Sequence, residues 1–225
     1  MLHLEENIGH GASRQCYVHP EDPNKCVKVP QNAKALKDIR REIMINVLLR
    51  PLLRDCIPEC EEKLAETDKG QGMVCELIRD FDGRISLPVT NENRTAEKGF
   101  DARALAPSLD LFVGKIIEND IFFYDFNKGN FVFQRTSPDE SRMVYVDMKS
   151  LGVNGYPGFL KLEKFIAPLA RIIMFRRVRR FYRETGFDFP FDELCRKKMF
   201  DGFRVTFRPS LRKWERERGL DKKNT

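Results

Sequence analysis

The segment YDFNKGNFVF, residues 124–133, constrains the fold of this chain more than any other feature. In it, Asp125 and Asn130 stand five residues apart, with a lysine and a glycine between them and strand-like aromatic residues on both sides. A short loop with this spacing can turn the carboxylate one way and fold the amide back another way. The alternative is a polar turn that joins two strands, because Asp and Asn are common turn residues.

A second acidic residue follows at the end of the next predicted strand. Asp147 closes the apolar run MVYVD, and the turn RTSPDES separates this run from the strand after Asn130. This order of short strands and turns predicts that Asp125, Asn130 and Asp147 converge at one end of a small sheet. An N-cap or a salt bridge is the simpler role for Asp147.

This set of polar residues fits the chemistry of phosphoryl transfer. The reaction needs a cradle for the phosphates, a lysine on their oxygens, ligands for magnesium and a carboxylate that faces the acceptor hydroxyl. The spacing D-x-x-x-x-N is that of the protein-kinase catalytic loop. We therefore predict Asp125 as the catalytic carboxylate and Asn130 and Asp147 as Mg²⁺ ligands. Lys128 is a candidate cation for the phosphate charge, with a solvated side chain as its alternative.

The beginning of the chain supplies candidates for the phosphate cradle. Gly9 and Gly11 lie between predicted strands, where glycine lets backbone N–H groups approach phosphate without a Cβ in the way. Arg14 stands where a kinase loop carries its third glycine, so an ordinary tight hairpin is the alternative. Glu76, in the apolar run GMVCELI, is a further candidate for the nucleotide site.

Lys28 and Glu42 are predicted to form a buried ion pair. Lys28 lies in the apolar strand CVKV, and an unpaired buried charge costs roughly 3 to 5 kcal/mol, so it needs a counter-charge. Residues 35–49 have apolar side chains at helical spacing, end before Pro51, and offer Glu42 as the natural partner. The alternatives are a solvent-facing lysine on an edge strand and a surface glutamate paired within its own helix.

Three further segments complete the predicted architecture. Residues 64–78 are predicted to form two strands around the turn TDKGQG, and the polar elbow RDFDG that follows is a candidate hinge. The segment SLDLFVGKIIEND has its apolar residues on one helical face, with Ser108 as a plausible N-cap. The last residues, KWERERGLDKKNT, are predicted to form a frayed, charged tail.

Composition limits the class of protein. Hydrophobic residues make up 41% of the 225 residues and charged residues 33%, which is typical of a folded chain. No apolar run approaches the roughly 20 residues of a membrane-spanning helix, and the first residues lack a signal-peptide pattern, so a cytoplasmic location is predicted. The six cysteines include no C-x-x-C pair, which favours free, mostly buried thiols over a zinc site.

Residues 171–183 combine many arginines with apolar side chains. At helical spacing these residues give one apolar face and one strongly cationic face. The chain also carries 40 Lys and Arg against 34 Asp and Glu, a net charge of +6. An anionic partner or an anionic membrane surface fits the cationic face, whereas no strong nucleic-acid signal is present. The alternative is a core helix whose charged face is solvated.

These segments resemble the successive blocks of the bacterial PhoP regulatory network protein family, also called YrbL-like, which is assigned to the protein-kinase-like superfamily. The blocks are RQCYVHPEDPNKCVKV, DIRREI, ETDKGQGMV, DFDG, FNKGN and the strand that ends at Asp147. The resemblance implies an α+β, bilobal, protein-kinase-like fold. Its small β-rich N-lobe would comprise residues 1–79, and its short, mainly helical C-lobe residues 80–225.

The resemblance also assigns roles to five residues. Lys28, Glu42, Asp125, Asn130 and Asp147 take the positions of the kinase lysine, helix glutamate, catalytic aspartate, metal asparagine and metal aspartate. The implied cofactors are ATP and Mg²⁺, and the implied substrate is an unidentified molecule with a hydroxyl group. The chain departs from the kinase pattern where Phe-Tyr replaces His-Arg before the catalytic acid and Met-Lys replaces Phe-Gly after the metal acid.

Three functions are consistent with these residues. The first is an Mg-ATP-dependent phosphotransferase, in a bacterial PhoP-linked regulatory network. The second is a non-catalytic regulator with the same fold that binds a nucleotide, which the altered residues around the two acids favour. The third is a basic protein that binds nucleic acid or a membrane surface, for which affinity should fall steeply with salt.

Overall fold

The computed structural model describes residues 1–11, 13–89, 105–119, 121, 126–148, 163–200, 214 and 216–218. These residues form two compact units in a mixed α+β architecture. The first unit contains residues 1–51 and 58–77 together with Trp214 and residues 216–218. The second unit contains residues 52–57 and the described part of 78–207. The assignment of two lobes that meet at residues 79 and 80 stays a prediction.

A five-stranded antiparallel sheet forms the centre of the first unit. Its order is β1-β2-β3-β5-β4, and the strands are β1 (Asn7–His10), β2 (Arg14–His19), β3 (Asp22–Pro30), β4 (Cys60–Thr67) and β5 (Gly70–Glu76). The two strands predicted over residues 64–78 are therefore confirmed as β4 and β5. Alternating residues of β2, β3 and β5 bury one face of the sheet in an apolar cluster of Leu4, Tyr17, Val27, Val29 and Val74.

The register of the sheet places Lys28 on the other face. Cys16 of β2 pairs with Lys28 of β3, and Lys28 pairs with Met73 of β5. Directly paired residues of neighbouring strands project to the same face, so these three side chains lie together. Val27 and Val29 flank Lys28 in sequence and point into the apolar cluster on the opposite face.

Helix α1 (Ala33–Leu53) follows β3 and is longer than predicted. Its start is capped by Asn32, whose Oδ1 accepts a hydrogen bond from the Ala35 backbone N–H at 2.9 Å. The prediction that the helix ends before Pro51 was wrong, because Pro51 lies within it. Proline has no N–H to bond the carbonyl four residues earlier, so α1 lacks one backbone hydrogen bond at Pro51 and still continues for two residues.

The described part of the second unit contains a hairpin and three helices. The strands β6 (Phe131–Arg135) and β7 (Ser141–Tyr145) pair antiparallel, as predicted. The helices are α2 (Ala106–Glu118), α3 (Glu163–Thr185) and α4 (Asp192–Phe200). The Tyr182 hydroxyl of α3 donates a hydrogen bond to Oδ1 of Asp110 in α2 at 2.5 Å, which joins the two longer helices.

Ser108 does not cap α2 as predicted. The helix begins at Ala106, and Ser108 lies inside its first turn, where its hydroxyl donates to the Leu105 carbonyl at 3.0 Å. The same oxygen accepts the Met143 backbone N–H at 2.9 Å and so ties α2 to β7. The predicted apolar face of this helix is confirmed, because five of its residues are buried: Leu109, Phe112, Val113, Ile116 and Ile117.

The polar elbow, residues 79–83, is fastened to the hairpin of the second unit. Asp80 is only 4% exposed. Its Oδ1 accepts hydrogen bonds from the Ser86 hydroxyl at 2.6 Å and from the Arg135 backbone N–H at 3.1 Å. The division between the two units falls directly before this elbow, between Leu77 and Ile78.

Trp214 shows that part of the C-terminal segment is packed. Its side chain is buried, and the Arg218 guanidinium lies over its ring at 5.0 Å from the centroid. Arg218 Nε also lies 3.4 Å from Glu62 Oε2 of β4. The prediction of a frayed tail was therefore wrong for these residues, because the indole is apolar enough to pack against the first unit.

The prediction that the cysteines are free and mostly buried thiols is confirmed. All six are free thiols; Cys16 is half-buried and the other five are buried. Three of them, Cys26, Cys75 and Cys60, are paired residues on β3, β5 and β4 and lie in one row across the sheet. Among the residues that the structure describes, no helix is long and apolar enough to cross a membrane.

Candidate functional site

The predicted ion pair between Lys28 and Glu42 is present and buried. Lys28 Nζ of β3 lies 3.0 Å from Glu42 Oε1 of α1. Lys28 is 7% exposed and Glu42 is fully buried. The solvent-facing alternatives for both residues are therefore excluded, and α1 must lie over the face of the sheet that carries Lys28.

Arg14 joins this pair and was not predicted to do so. Its Nη1 donates a hydrogen bond to Glu42 Oε2, so that each oxygen of the carboxylate holds one cation. The strand alternation of β2 could have indicated this position, because Arg14 lies two residues before Cys16 and so on the same face as Lys28. The sequence analysis noted Arg14 only because it stands in place of the third glycine of a kinase loop.

The three side chains are charged at neutral pH. Burial by itself raises the pKa of Glu42, but the charges of Lys28 and Arg14 and their hydrogen bonds outweigh burial and lower this pKa to about 2. Burial lowers the pKa of Lys28, and the Glu42 carboxylate more than reverses this, so that the net pKa lies above its ordinary value. A guanidinium such as that of Arg14 remains protonated in proteins.

The two predicted cradle glycines lie in the β1–β2 hairpin beside these charges. Gly9 pairs with Cys16, which in turn pairs with Lys28, so Gly9 stands in the same row of the sheet. A Cβ at Gly9 would meet no atom within 4 Å. The Gly11 backbone N–H donates to the Arg14 carbonyl at 2.8 Å and closes the hairpin. An ordinary hairpin has the same geometry, so phosphate binding by these glycines stays a prediction.

Glu76 lies away from the buried ion pair. It ends β5, and its Oε2 accepts the Glu59 backbone N–H at 3.2 Å. It lines a cavity of about 640 Å³ together with residues of α1, β3 and β4, among them Lys25 and Asn46. The described residues that line this cavity do not include Lys28 or Glu42. In the sheet Glu76 pairs with Lys25, three residues before Lys28, and its role in a nucleotide site stays a prediction.

Asn130 and Asp147 lie at the same end of the β6–β7 hairpin. Asn130 directly precedes β6, and its carbonyl accepts the Val146 backbone N–H at 2.9 Å; Asp147 is the next residue. Both side chains are half-buried. The order of strands and turns predicted this convergence. The third predicted member, Asp125, lies outside the described residues.

The loop before β6 is a compact turn. Residues Lys128–Asn130 form one turn of 3-10 helix, and Asn127 Oδ1 accepts the Gly129 backbone N–H at 3.0 Å. Lys128 Nζ donates to the Glu184 carbonyl at 3.1 Å. A cation is favourable there because the carbonyl groups at the end of α3 carry partial negative charge. Lys128 thus ties the loop to α3, and its predicted action on phosphate stays untested.

An aromatic cluster supports this end of the hairpin. Phe131, the residue after Asn130, is 1% exposed. Its ring centroid lies between 5.0 and 6.2 Å from four other aromatic rings: Phe112, Phe126, Tyr145 and Phe181. Because these rings come from α2, α3, β7 and the loop, Phe131 fixes the position from which Asn130 projects.

Between residues 174 and 183, helix α3 exposes five arginines and buries five apolar side chains, whereas Arg171 is buried and Ile173 is 38% exposed. The exposed arginines are Arg176, Arg177, Arg179, Arg180 and Arg183. Arg179 pairs with Asp192 and Arg180 with Glu184, each at 2.6 Å. The apolar residues Met174, Phe175, Val178, Phe181 and Tyr182 are all buried. The helix is therefore part of the core, with a cationic face toward solvent.

Comparison with known proteins indicates a bacterial family. A family model described as PhoP regulatory network protein YrbL matches residues 1–186. The Escherichia coli (strain K12) "Uncharacterized protein YrbL" is 31% identical over 153 residues, which cover 65% of this chain and 72% of that protein. A protein of the same description from Shigella flexneri gives the same values.

A solved structure, "Crystal structure of Cex1p", shows a weaker similarity. It has a TM-score of 0.42 and 14% sequence identity, and the alignment covers 83% of this chain. The chain spans only 31% of that protein. A likeness at this level carries no argument about fold or function.

Proposed function

Because this chain belongs to the PhoP regulatory network protein YrbL family, we propose that it is a protein-kinase-like phosphotransferase that binds Mg-ATP and acts on a hydroxyl-bearing substrate. The observation that carries the proposal is the buried pair of Lys28 and Glu42 between a strand and the following helix. In protein kinases a strand lysine binds the phosphates and is held by a helix glutamate. A bilobal kinase-like fold is part of the proposal.

The donor groups at the end of the β6–β7 hairpin suit magnesium. Asn130 offers an amide oxygen and Asp147 a carboxylate, and oxygen ligands of this kind are those that Mg²⁺ prefers. A bound Mg²⁺ would neutralise charge on the phosphate oxygens. Asp125, five residues before Asn130 in the sequence, would orient the acceptor hydroxyl and accept its proton. Lys28, kept charged by Glu42, would bind the phosphates.

A non-catalytic nucleotide-binding regulator is the second candidate. The specific observation in its favour is Met148, the residue after Asp147, whose side chain is fully buried where a kinase has a phenylalanine. The residues before Asp125 are also Phe and Tyr rather than His and Arg. These changes leave the binding groups in place and alter the surroundings of the groups that react.

Two aspartate variants separate the two candidates. Asp125→Ala is expected to keep ATP binding and to lower phosphoryl transfer by about a hundredfold or more, because it removes the group that accepts the proton. Asp147→Ala is expected to lose the Mg²⁺-dependent part of ATP binding. Thermal stabilisation by ATP with and without Mg²⁺ measures binding, and release of phosphate or its transfer to a supplied hydroxyl compound measures turnover.

Asp139→Ala is the matched control, since Asp139 is exposed in the turn at the opposite end of the same hairpin. It should change neither quantity. Wild-type binding of Mg-ATP without any turnover would identify the regulator. Absence of any stabilisation of the wild type by Mg-ATP would contradict both candidates.

The cationic face of α3, defined here as Arg176, Arg177, Arg180 and Arg183, supports an additional contact with an anionic membrane surface. The apolar residues between Met174 and Tyr182 are buried, so this contact would be mainly electrostatic. Each arginine close to an anionic surface contributes about 1 kcal/mol.

Charge reversal tests this contact. The double variant Arg176→Glu/Arg183→Glu is expected to bind vesicles of phosphatidylserine and phosphatidylcholine at least about tenfold more weakly than the wild type. Vesicle co-sedimentation at low and moderate salt measures the effect, which should weaken as salt screens the charges. The control Lys34→Glu/Lys37→Glu makes the same change of net charge on exposed residues of α1. Equal losses in both double variants would contradict a specific role of α3.

A further inference from the structure

The proposed function uses Lys28 and Glu42 and gives no role to Arg14, the second cation on the same carboxylate. We infer that Arg14 is a phosphate-binding residue, which acts with Lys28 on the polyphosphate chain of a nucleoside triphosphate and makes the site prefer triphosphates to monophosphates. This inference rests on the proposed function and names the residue that would set its ligand preference.

The first observation is the position of Arg14 in the sheet. It is the first residue of β2 and pairs with Pro30 of β3, two residues beyond Lys28. Because strand residues alternate between faces, Arg14 and Lys28 project from neighbouring strands to the same side. The shared carboxylate of Glu42 confirms this, since Arg14 binds Oε2 and Lys28 binds Oε1. The two cations are thus held side by side.

The second observation links Arg14 to the hairpin that carries Gly9 and Gly11. The Arg14 carbonyl accepts the Gly11 backbone N–H at 2.8 Å, so Arg14 is the residue on which the turn closes. The Gly9 and Gly11 N–H groups donate to Asn7 Oδ1 and to the Arg14 carbonyl, so an anion at this turn would be bound chiefly by the Arg14 side chain. A phosphate bound at this turn would lie beside a residue whose own side chain is cationic.

The third observation is the balance of charge. Arg14, Lys28 and Glu42 together carry one net positive charge, and their side chains are 12%, 9% and 0% exposed. Both cations keep part of their surface accessible whereas the carboxylate is fully buried, so an anion that reaches this cluster meets the cations and not the carboxylate.

The chemistry of arginine indicates which anion fits. A guanidinium stays charged at every accessible pH, and its planar donors match the oxygens of a phosphate group better than an ammonium does. Arg14 next to Lys28 therefore favours a ligand with two or more linked phosphates over a single phosphate. A purely structural role, in which Arg14 fastens α1 to β2, predicts no dependence on the number of phosphates.

The experiment compares Arg14→Met with the matched control Arg50→Met. Arg50 lies in α1 of the same unit, eight residues after Glu42, and its Nη2 lies 4.0 Å from Glu59 Oε2. Binding of Mg-ATP, AMP and inorganic tripolyphosphate is measured by calorimetry for each protein. Arg14→Met is expected to weaken ATP and tripolyphosphate binding by about tenfold or more and AMP binding by less than about twofold. Arg50→Met should match the wild type for all three.

A conservative variant guards against misfolding. Arg14→Lys keeps the charge and loses the planar donors, so it should bind tripolyphosphate with an affinity between those of the wild type and Arg14→Met. If Arg14→Met does not fold, Arg14→Lys alone must show weakened tripolyphosphate binding with unchanged AMP binding. Equal affinities of the wild type and a folded Arg14 variant for tripolyphosphate would overturn the inference.

The same measurements distinguish this inference from the proposed function. A wild type that binds tripolyphosphate in an Arg14-dependent way and does not bind ATP would support the phosphate site and overturn nucleotide binding. Equal ATP affinities of the wild type and Arg14→Met would support nucleotide binding and overturn the role of Arg14. A wild type that binds neither ligand would overturn both.

Discussion

Glu42→Gln is expected to lower the free energy of unfolding of the first unit by about 3 to 5 kcal/mol. Glu42 is fully buried, and its carboxylate is the counter-charge of both Lys28 and Arg14. Glutamine has the same shape but no charge, so the variant leaves two cations in a nearly dry environment without their partner. The loss is large because the desolvation of these cations is no longer compensated.

Fluorescence of Trp214 during urea unfolding measures this loss. Trp214 is the only tryptophan of the chain and is buried in the same unit as Glu42. The control is Glu61→Gln, which removes the carboxylate of an exposed ion pair with Lys25 at 2.9 Å. Its effect should be small, because exposed ion pairs gain little in water. Equal midpoints for the two variants would contradict a central role of Glu42.

The pH dependence gives a second test of the same residue. The folded-state pKa of Glu42 is about 2, below its ordinary value of 4.5. A carboxyl group with a lowered folded-state pKa adds stability that is fully present above the unfolded-state pKa and is lost as pH falls through the folded-state pKa. The stability difference between the wild type and Glu42→Gln should therefore be constant above about pH 5 and shrink as pH falls from 4.5 towards 2.

Phe131→Ala is expected to destabilise the second unit by about 3 to 5 kcal/mol. Phe131 is 1% exposed, and its ring is surrounded by aromatic rings from α2, α3 and β7. Removal of the ring leaves a cavity that several elements would have to fill together. Denaturation by urea, followed by circular dichroism, measures the change.

Phe81→Ala is the matched control for this variant. Phe81 lies in the polar elbow of the same unit and is 48% exposed, with Arg135 over its ring at 4.7 Å. The same change of side chain there removes little buried area and should cost far less. Similar losses for the two variants would show that the aromatic cluster does not hold the hairpin in place. If Asn130 binds metal, Phe131→Ala should also weaken Mg²⁺-dependent binding.

The parts of the fold that sequence predicted are those with local periodicity. The alternation around Lys28 indicated a buried lysine, and the apolar spacing of α1 placed Glu42 within its reach. The order of strands and turns after Asn130 was enough to bring Asp147 to the same end of the hairpin. In an antiparallel hairpin the start of the first strand lies beside the end of the second. Both predictions depend on short segments and simple geometry.

The parts that sequence missed depend on contacts between distant segments or on small energetic differences. Arg14 meets Glu42 across 28 residues of chain, and a loop pattern does not show where its side chain points. Proline normally interrupts a helix, yet α1 continues for two residues beyond Pro51. Ser108 has the composition of an N-cap and instead finds a partner in β7. The burial of Trp214 was missed because the residues around it in the sequence are highly charged.

The placement of Trp214 has a consequence for the way the chain is made. The first unit takes its strands from the beginning of the polypeptide and a buried indole from near the end. The ribosome must therefore translate the whole second unit before Trp214 can be buried in the first unit. Until then the N-terminal sheet lacks the packing that Trp214 provides. The first unit is thus begun before the second and completed after it.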